Sequence, residues 1–150
     1  MEFFELNAMN AMNSINSTNP INSMNPKPFV GIKMMILVVD DDKLVRDFLL
    51  TAMRTFGWQA EGAEDGFEAL KILKEKQYEL VITDGEMPGM TGQELTRTIK
   101  ETYPQTCVIA LSALDLEQEF KAAGADKFLR KPVNLEELRL AIDQSSRAER

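Results

Sequence analysis

The 150-residue chain contains no histidine, which removes the Ser-His-Asp and Cys-His nucleophile systems and every metal site built on imidazole. Any metal here must be a hard cation held by oxygen. A single cysteine, Cys107, excludes an internal disulfide, and its place in an apolar run suggests a buried packing residue. Bases are few, 17 Lys and Arg against 24 Asp and Glu. The resulting charge of −7 argues against a nonspecific nucleic-acid binder, because a phosphate backbone rewards clustered Lys and Arg. There is no apolar stretch of membrane-spanning length and no signal-peptide core after Met1, so the simplest expectation is a cytoplasmic protein without membrane contact.

What the chain does have begins with a tail. From Asn7 to Asn25 an asparagine falls at every third position, among Ser, Thr, Pro, Met, Ile and Ala. That mixture is poor in helix formers and unable to build a core. Residues 1–33 are therefore expected to be a disordered, low-complexity tail. Two other readings stay open: the tail reaches a partner, or Met34 or Met35 is the real start. Its two acids, Glu2 and Glu5, balance Lys27 and Lys33, so the negative charge belongs to residues 34–150.

Beyond the tail, 34–146 is long enough to bury a core. Met35-Ile36-Leu37-Val38-Val39 reads as a strand buried on both faces of a parallel sheet. Asp41 or Asp42 then caps a helix carrying Leu44, Val45, Phe48, Leu49, Ala52 and Met53, which stops at Gly57. The spacing predicts a second strand from Trp58 to Gly62 and a helix opened by Asp65-Gly66 with Phe67, Leu70, Ile72 and Leu73. A third strand runs from Glu79 to Thr83, and a helix marked by Leu95, Ile99 and Tyr103 ends at Pro104. Cys107 to Leu111 is a fourth strand, Leu114 to Ala123 a short helix closed by Gly124, and Lys127 to Arg130 a fifth strand. A last helix carries Leu135, Leu138, Ala141 and Ile142. Five alternations of strand and helix argue for a parallel sheet covered on both faces, with ligands at the carboxyl ends of the strands.

Those ends carry the chemistry. Val81-Ile82-Thr83-Asp84 delivers a carboxylate to a bend forced by Pro88, Gly89 and Gly92. Asp40 and Asp41 come after the first strand, Ser112 after the fourth and Lys131 after the fifth, and all should meet on one rim. Close carboxylates repel by roughly 4 kcal/mol per pair at an effective dielectric of about 20, so a divalent cation and a lysine are needed to compensate. Magnesium, which takes oxygen ligands and keeps several waters, suits such a shallow site. Asp84 is then placed as a nucleophile towards a phosphoryl group, giving an aspartyl phosphate, while Lys131 and Ser112 meet the charge on the transferring oxygens. The phosphoryl donor must come from elsewhere. Each residue also has a plain structural explanation: Asp40, Asp41 and Asp42 as a solvated, capped first turn, Ser112 as a helix cap, Lys131 as a loop lysine.

The segment from about Met34 to Ile142 resembles the receiver domain of bacterial two-component response regulators, in a chemotaxis-regulator-like form. The resemblance rests on Val38-Val39-Asp40-Asp41 with Arg46, Ile82-Thr83-Asp84 with Met87-Pro88-Gly89-Met90 and Gly92, Ser112-Ala113, Gly124-Ala125-Asp126, and Lys131-Pro132. It implies an α/β, three-layer flavodoxin-like fold with a five-stranded parallel sheet of order 2-1-3-4-5. It implies phosphorylation of Asp84 by a sensor histidine kinase or a histidine phosphotransfer protein, in a signalling protein that only assists its own phosphorylation and dephosphorylation. By family position Asp41 and Asp84 ligate Mg2+ directly, Glu86 offers its backbone carbonyl, and Asp40 acts mostly through water. Lys131 and Ser112 contact the phosphoryl group, and Phe128 stands at the aromatic switch position. The family precedent includes altered binding of a downstream protein target and a homodimer on activation.

Two departures from the family pattern stand out. From Ser112 to Gly124 the chain is about three residues shorter, roughly one helical turn, and Glu86 and Leu114 occupy positions that tune phosphoryl lifetime. With no helix-turn-helix in the sequence after the receiver segment, the expectation is a single-domain response regulator or a receiver cut from a longer one, and residues 147–150, with the polar stretch before them, read as a tail or the stub of a linker. Two rival functions are a magnesium-dependent phosphohydrolase of haloacid-dehalogenase type using Asp40, and a receiver-like scaffold that is never phosphorylated. The first has Leu44 where its family expects Thr or Val, and no room for a cap domain. Against the second stands the retention of every acid and of Lys131.

Overall fold

The computed structural model describes residues 34–148. The expectations for 1–33 lie outside them. Among the described residues five strands, β1 (Met35–Val39), β2 (Gln59–Ala63), β3 (Leu80–Asp84), β4 (Cys107–Ser112) and β5 (Lys127–Arg130), alternate with five helices. The helices are α1 (Lys43–Thr55), α2 (Gly66–Glu75), α3 (Gly92–Thr102), α4 (Glu117–Ala123) and α5 (Leu135–Ala148). All strand pairs are parallel and the sheet order is β2-β1-β3-β4-β5, the flavodoxin-like arrangement.

Side chains alternate across each strand, so the apolar runs feed two cores. Ile36, Val38, Ile82, Ile109 and Leu111 face Leu49 and Met53 of α1 and Leu138 and Ile142 of α5. Leu37, Val39, Val81 and Val108 face Ala69 and Leu73 of α2 and Leu95 and Ile99 of α3. Burying each such side chain contributes roughly 1.5–3 kcal/mol, which is why these strands read as continuous apolar segments rather than alternating ones.

Local signals place the helix starts. The Asp42 carboxylate accepts from Leu44 N–H and Val45 N–H at the start of α1, and Asp65 accepts from Glu68 N–H at the start of α2. At α3, Thr91 and Glu94 form a reciprocal capping box, readable in sequence as Thr-x-x-Glu. Several expectations shift, β3 and β4 among them, each of which ends one residue later than expected. Trp58 donates its N–H to the Met53 carbonyl, closing the end of α1, so β2 starts one residue later. Residues 113–116 form a turn in which Leu114 N–H is taken by the Ser112 side chain, leaving α4 with seven residues. Phe67 and Leu44, expected on apolar helix faces, are exposed, and Cys107 is half-buried rather than enclosed.

Candidate functional site

Register brings the strand ends together. Val39 sits beside Thr83, Asp84 beside Leu111, and Ser112 beside Arg130. The next residues of β1 and β5, Asp40 and Lys131, therefore emerge on the rim where β3 ends in Asp84, as the order 2-1-3-4-5 requires. Ligand oxygens of Asp40, Asp41 and Asp84 lie within 4.8 Å of one another, with Asp40 and Asp84 buried and Asp41 exposed. Lys131 Nζ donates to Asp84 Oδ1 at 2.9 Å and to Asp40 Oδ2 at 3.4 Å.

Backbone bonds hold the acids in place. Asp42 N–H donates to Asp40 Oδ1 at 2.9 Å, and the Arg46 guanidinium, one turn into α1, donates to the Asp40 carbonyl at 2.6 Å. Gly85 N–H donates to Asp84 Oδ1 at 2.9 Å. Asp84 Oδ2 takes no hydrogen bond from the described residues and is free for chemistry. Gly92 packs against the Asp84 carbonyl so closely that an added Cβ would stand 2.2 Å from it, so the β3–α3 loop closes over the site only with glycine there.

Charge is out of balance: three carboxylates face one ammonium. Burial raises the Asp84 carboxyl above the ordinary carboxylate range; the Lys131 hydrogen bond opposes this, and the neighbouring Asp40 charge adds to it. Asp40 is likewise raised by burial, against the pull of the Asp42 N–H and Lys131. For Lys131, burial acts to lower the ammonium, but the Asp84 bond and the Asp40 and Asp84 charges outweigh it and the group is raised. All-oxygen donors, close spacing and excess negative charge are the conditions a hard divalent cation satisfies, and the donor set fits Mg2+.

Ser112 and Phe128 complete the rim. Ser112 is fully buried, and its hydroxyl donates to Glu86 Oε2 at 2.5 Å while accepting from Leu114 N–H at 3.0 Å. It lies against Gly85, where an added Cβ would come 3.1 Å from its oxygen, but it makes no bond to Asp84. Phe128 is half-buried, its ring centroid 5.8 Å from that of Phe120. Phe120 is fully buried and fills the space beside Gly85 and Gly92. Sequence reasoning assigned no role to Phe120, and it placed Glu86 at a position that tunes phosphoryl lifetime without foreseeing its bond to Ser112. Phe120 sits in the shortened helix, where a lone aromatic among polar residues was the available signal.

A parallel α/β sheet whose strand ends gather three acids and a lysine defines a compact, metal-compatible acidic notch. The response regulator receiver domain model matches residues 36–143, and the chain belongs to that family, whose role is two-component signalling. It is 40% identical over 106 residues to the response regulator MprA of Mycobacterium sp. (strain KMS), covering 69% of this chain and 46% of that protein. It is 37% identical over 112 residues to the sensor histidine kinase RcsC of Salmonella typhi, covering 73% of this chain and 12% of that one. The chain thus spans about half the length of the first and a small part of the second. Among solved structures, Thermotoga maritima TrrA in complex with Mg(2+)-BeF has a TM-score of 0.71 at 33% identity, covering 75% of this chain and 98% of that one. The phosphohydrolase alternative is not favoured by these likenesses. Among the described residues no helix is long and apolar enough to cross a membrane.

Proposed function

We propose that this domain, spanning 34–146, accepts a phosphoryl group on Asp84 from a histidine kinase or a histidine phosphotransfer protein and changes its protein contacts as a result. The observation that carries the reading is the Lys131 ammonium held on Asp84 Oδ1 beside two further carboxylates. With Oδ1 engaged by Lys131 and Gly85 N–H, the unbonded Oδ2 is the attacking atom. Its bond to phosphorus forms as the phosphorus–nitrogen bond of a phosphohistidine breaks, the electron pair returning to the imidazole. Burial, which makes the carboxylate more basic, also makes it the better nucleophile.

Lys131 stays within reach of the phosphoryl oxygens and offsets their charge in a partly buried setting, where a fixed cation counts for more than in water. The Ser112 hydroxyl offers a neutral donor from the other side once it turns from Glu86. Asp40, Asp41, Asp84 and the Glu86 backbone carbonyl are the groups that would hold Mg2+, which when bound supplies charge neutralisation for the transferring group. Phe128, half-buried against Phe120, is the aromatic positioned to report the change on the β5 surface to a downstream protein or a second copy. The protein works in the cytoplasm, with the kinase supplying the phosphoryl group and no nucleic acid bound directly.

The test is treatment of the intact protein with acetyl phosphate in the presence of magnesium, followed by peptide mass spectrometry for the phosphoryl label. The label is expected on Asp84 and absent from an Asp84→Asn variant. Label on Asp40, or none that depends on magnesium, overturns the reading.

A further inference from the structure

Resting on the reading of Asp84 as phosphoacceptor, we propose that the Glu86 side chain is a positioning residue. It holds the Ser112 hydroxyl turned away from Asp84 and must release it before the phosphorylated state is complete. A serine hydroxyl has one proton to give. Here that proton goes to Glu86 Oε2 at 2.5 Å, a charge-assisted bond, and the oxygen is further occupied by Leu114 N–H at 3.0 Å. Ser112 itself is fully buried and lies against Gly85, the residue whose N–H binds Asp84 Oδ1. The hydroxyl is thus one residue from the acceptor carboxylate with its donor aimed elsewhere.

The two partners differ in freedom. The backbone around Glu86 is pinned, with Gly85 N–H on the Leu111 carbonyl at 2.9 Å and Gly92 N–H on the Gly85 carbonyl at 3.1 Å. The Glu86 residue is exposed, so its carboxylate can swing into water without disturbing that frame. A phosphoryl oxygen on Asp84 and the Glu86 carboxylate then compete for one O–H, and each occupancy excludes the other. Release also acts on the neighbouring turn. Leu114 N–H is bound to the Ser112 oxygen, Leu116 N–H bonds in turn to the Leu114 carbonyl, and α4 begins at the next residue. The exposed Leu114 side chain rides on the segment that the hydroxyl would pull.

The experiment titrates beryllofluoride with magnesium against the wild type, Glu86→Ala, Glu86→Gln, Ser112→Ala and the Glu86→Ala/Ser112→Ala double variant. Fluorine NMR reads the bound fraction, and melting curves confirm that each variant is folded. Removing one competing charge-assisted bond should tighten Glu86→Ala roughly tenfold, with Glu86→Gln between it and the wild type. In the Ser112→Ala background the same substitution should change affinity by less than about twofold, since nothing is left for Glu86 to hold. The Leu114 amide resonance of wild type on binding should move towards its position in free Glu86→Ala. Equal tightening with and without Ser112 overturns the proposal, leaving only charge repulsion, as does no tightening in Glu86→Ala. Failure of the wild type itself to bind beryllofluoride at Asp84 overturns the phosphoacceptor reading, and that result is distinct from either.

Discussion

Asp84→Asn should stabilise the fold when magnesium is absent. Asp84 Oδ1 accepts both Gly85 N–H and Lys131 Nζ at 2.9 Å, and an asparagine oxygen keeps both bonds while its NH2 takes the place of the unbonded oxygen. Losing the charge opposite an ammonium at 2.9 Å forfeits about 6 kcal/mol at an effective dielectric of about 20. Repulsion from Asp40 and Asp41, within 4.8 Å, is relieved by about 3.5 kcal/mol each on the same scale. The Coulomb contributions nearly cancel, so desolvation decides, and it is the largest influence on Asp84 and raises its pKa. A raised native pKa means that ionisation costs the folded state more than the unfolded chain. The net gain should be about 1–2 kcal/mol, a rise in Tm of about 4–8 °C for a domain of this size.

The pH dependence has a definite sign. Between the ordinary carboxyl value of 3.8 and the higher native value, the folded protein holds a proton that the unfolded chain has lost. Wild-type stability therefore falls relative to the variant as pH rises through that window, and the difference levels off above it. Magnesium opposes the effect, since at tenfold over its dissociation constant it stabilises the wild type by about 1.4 kcal/mol and the variant by less. Urea melts in EDTA and in excess magnesium, at pH 4 and pH 7, check each part. An Asp84→Asn protein less stable than wild type in EDTA at pH 7 would refute the account of the site as overcharged.

Lys131→Ala leaves two buried carboxylates without their cation and should cost about 2–4 kcal/mol in urea melts without magnesium, with Lys131→Arg recovering part of it; an unchanged midpoint would show the pair to be inert. Gly92→Ala drives a methyl to within 2.2 Å of the Asp84 carbonyl and 2.9 Å of Phe120 Cζ, and should lower stability by about 3 kcal/mol or more in the same assay.

Strands ending in chemistry were legible because a parallel sheet buried on both faces writes itself as uninterrupted apolar residues, and the first polar residue after each run is the one at the rim. Val39 before Asp40 and Leu111 before Ser112 behave in this way; in β3 the polar Thr83 is itself buried and the rim residue is the acid after it, and the pairing of Val39 with Thr83 sets Asp40 and Asp84 side by side. The start of α4 was not legible. Leu114 and Leu116 carry an apolar pattern, but the Ser112 hydroxyl takes the Leu114 N–H, and a side chain that satisfies a backbone donor locally competes with the helix. Phe67 misled for a related reason: its spacing suits the buried face of α2, yet that face is filled by Gly66, Ala69 and Leu73, and the ring instead lies across Gly89. The hydrogen bond between Glu86 and Ser112 depends on side chains 26 residues apart, a distance that periodicity does not reach.

A sheet in which every strand runs the same way gives the molecule a working end and a foundation. The loops that enter β3 and β4 belong to the foundation, and Gln77 and Gln105, exposed there beside a groove of about 590 Å3, lie the full length of a strand from the acids. A linker to a bead or sensor chip attached at either glutamine would present the notch outward, so that loading and discharge could be followed on an immobilised sample without the support blocking the approach of a donor.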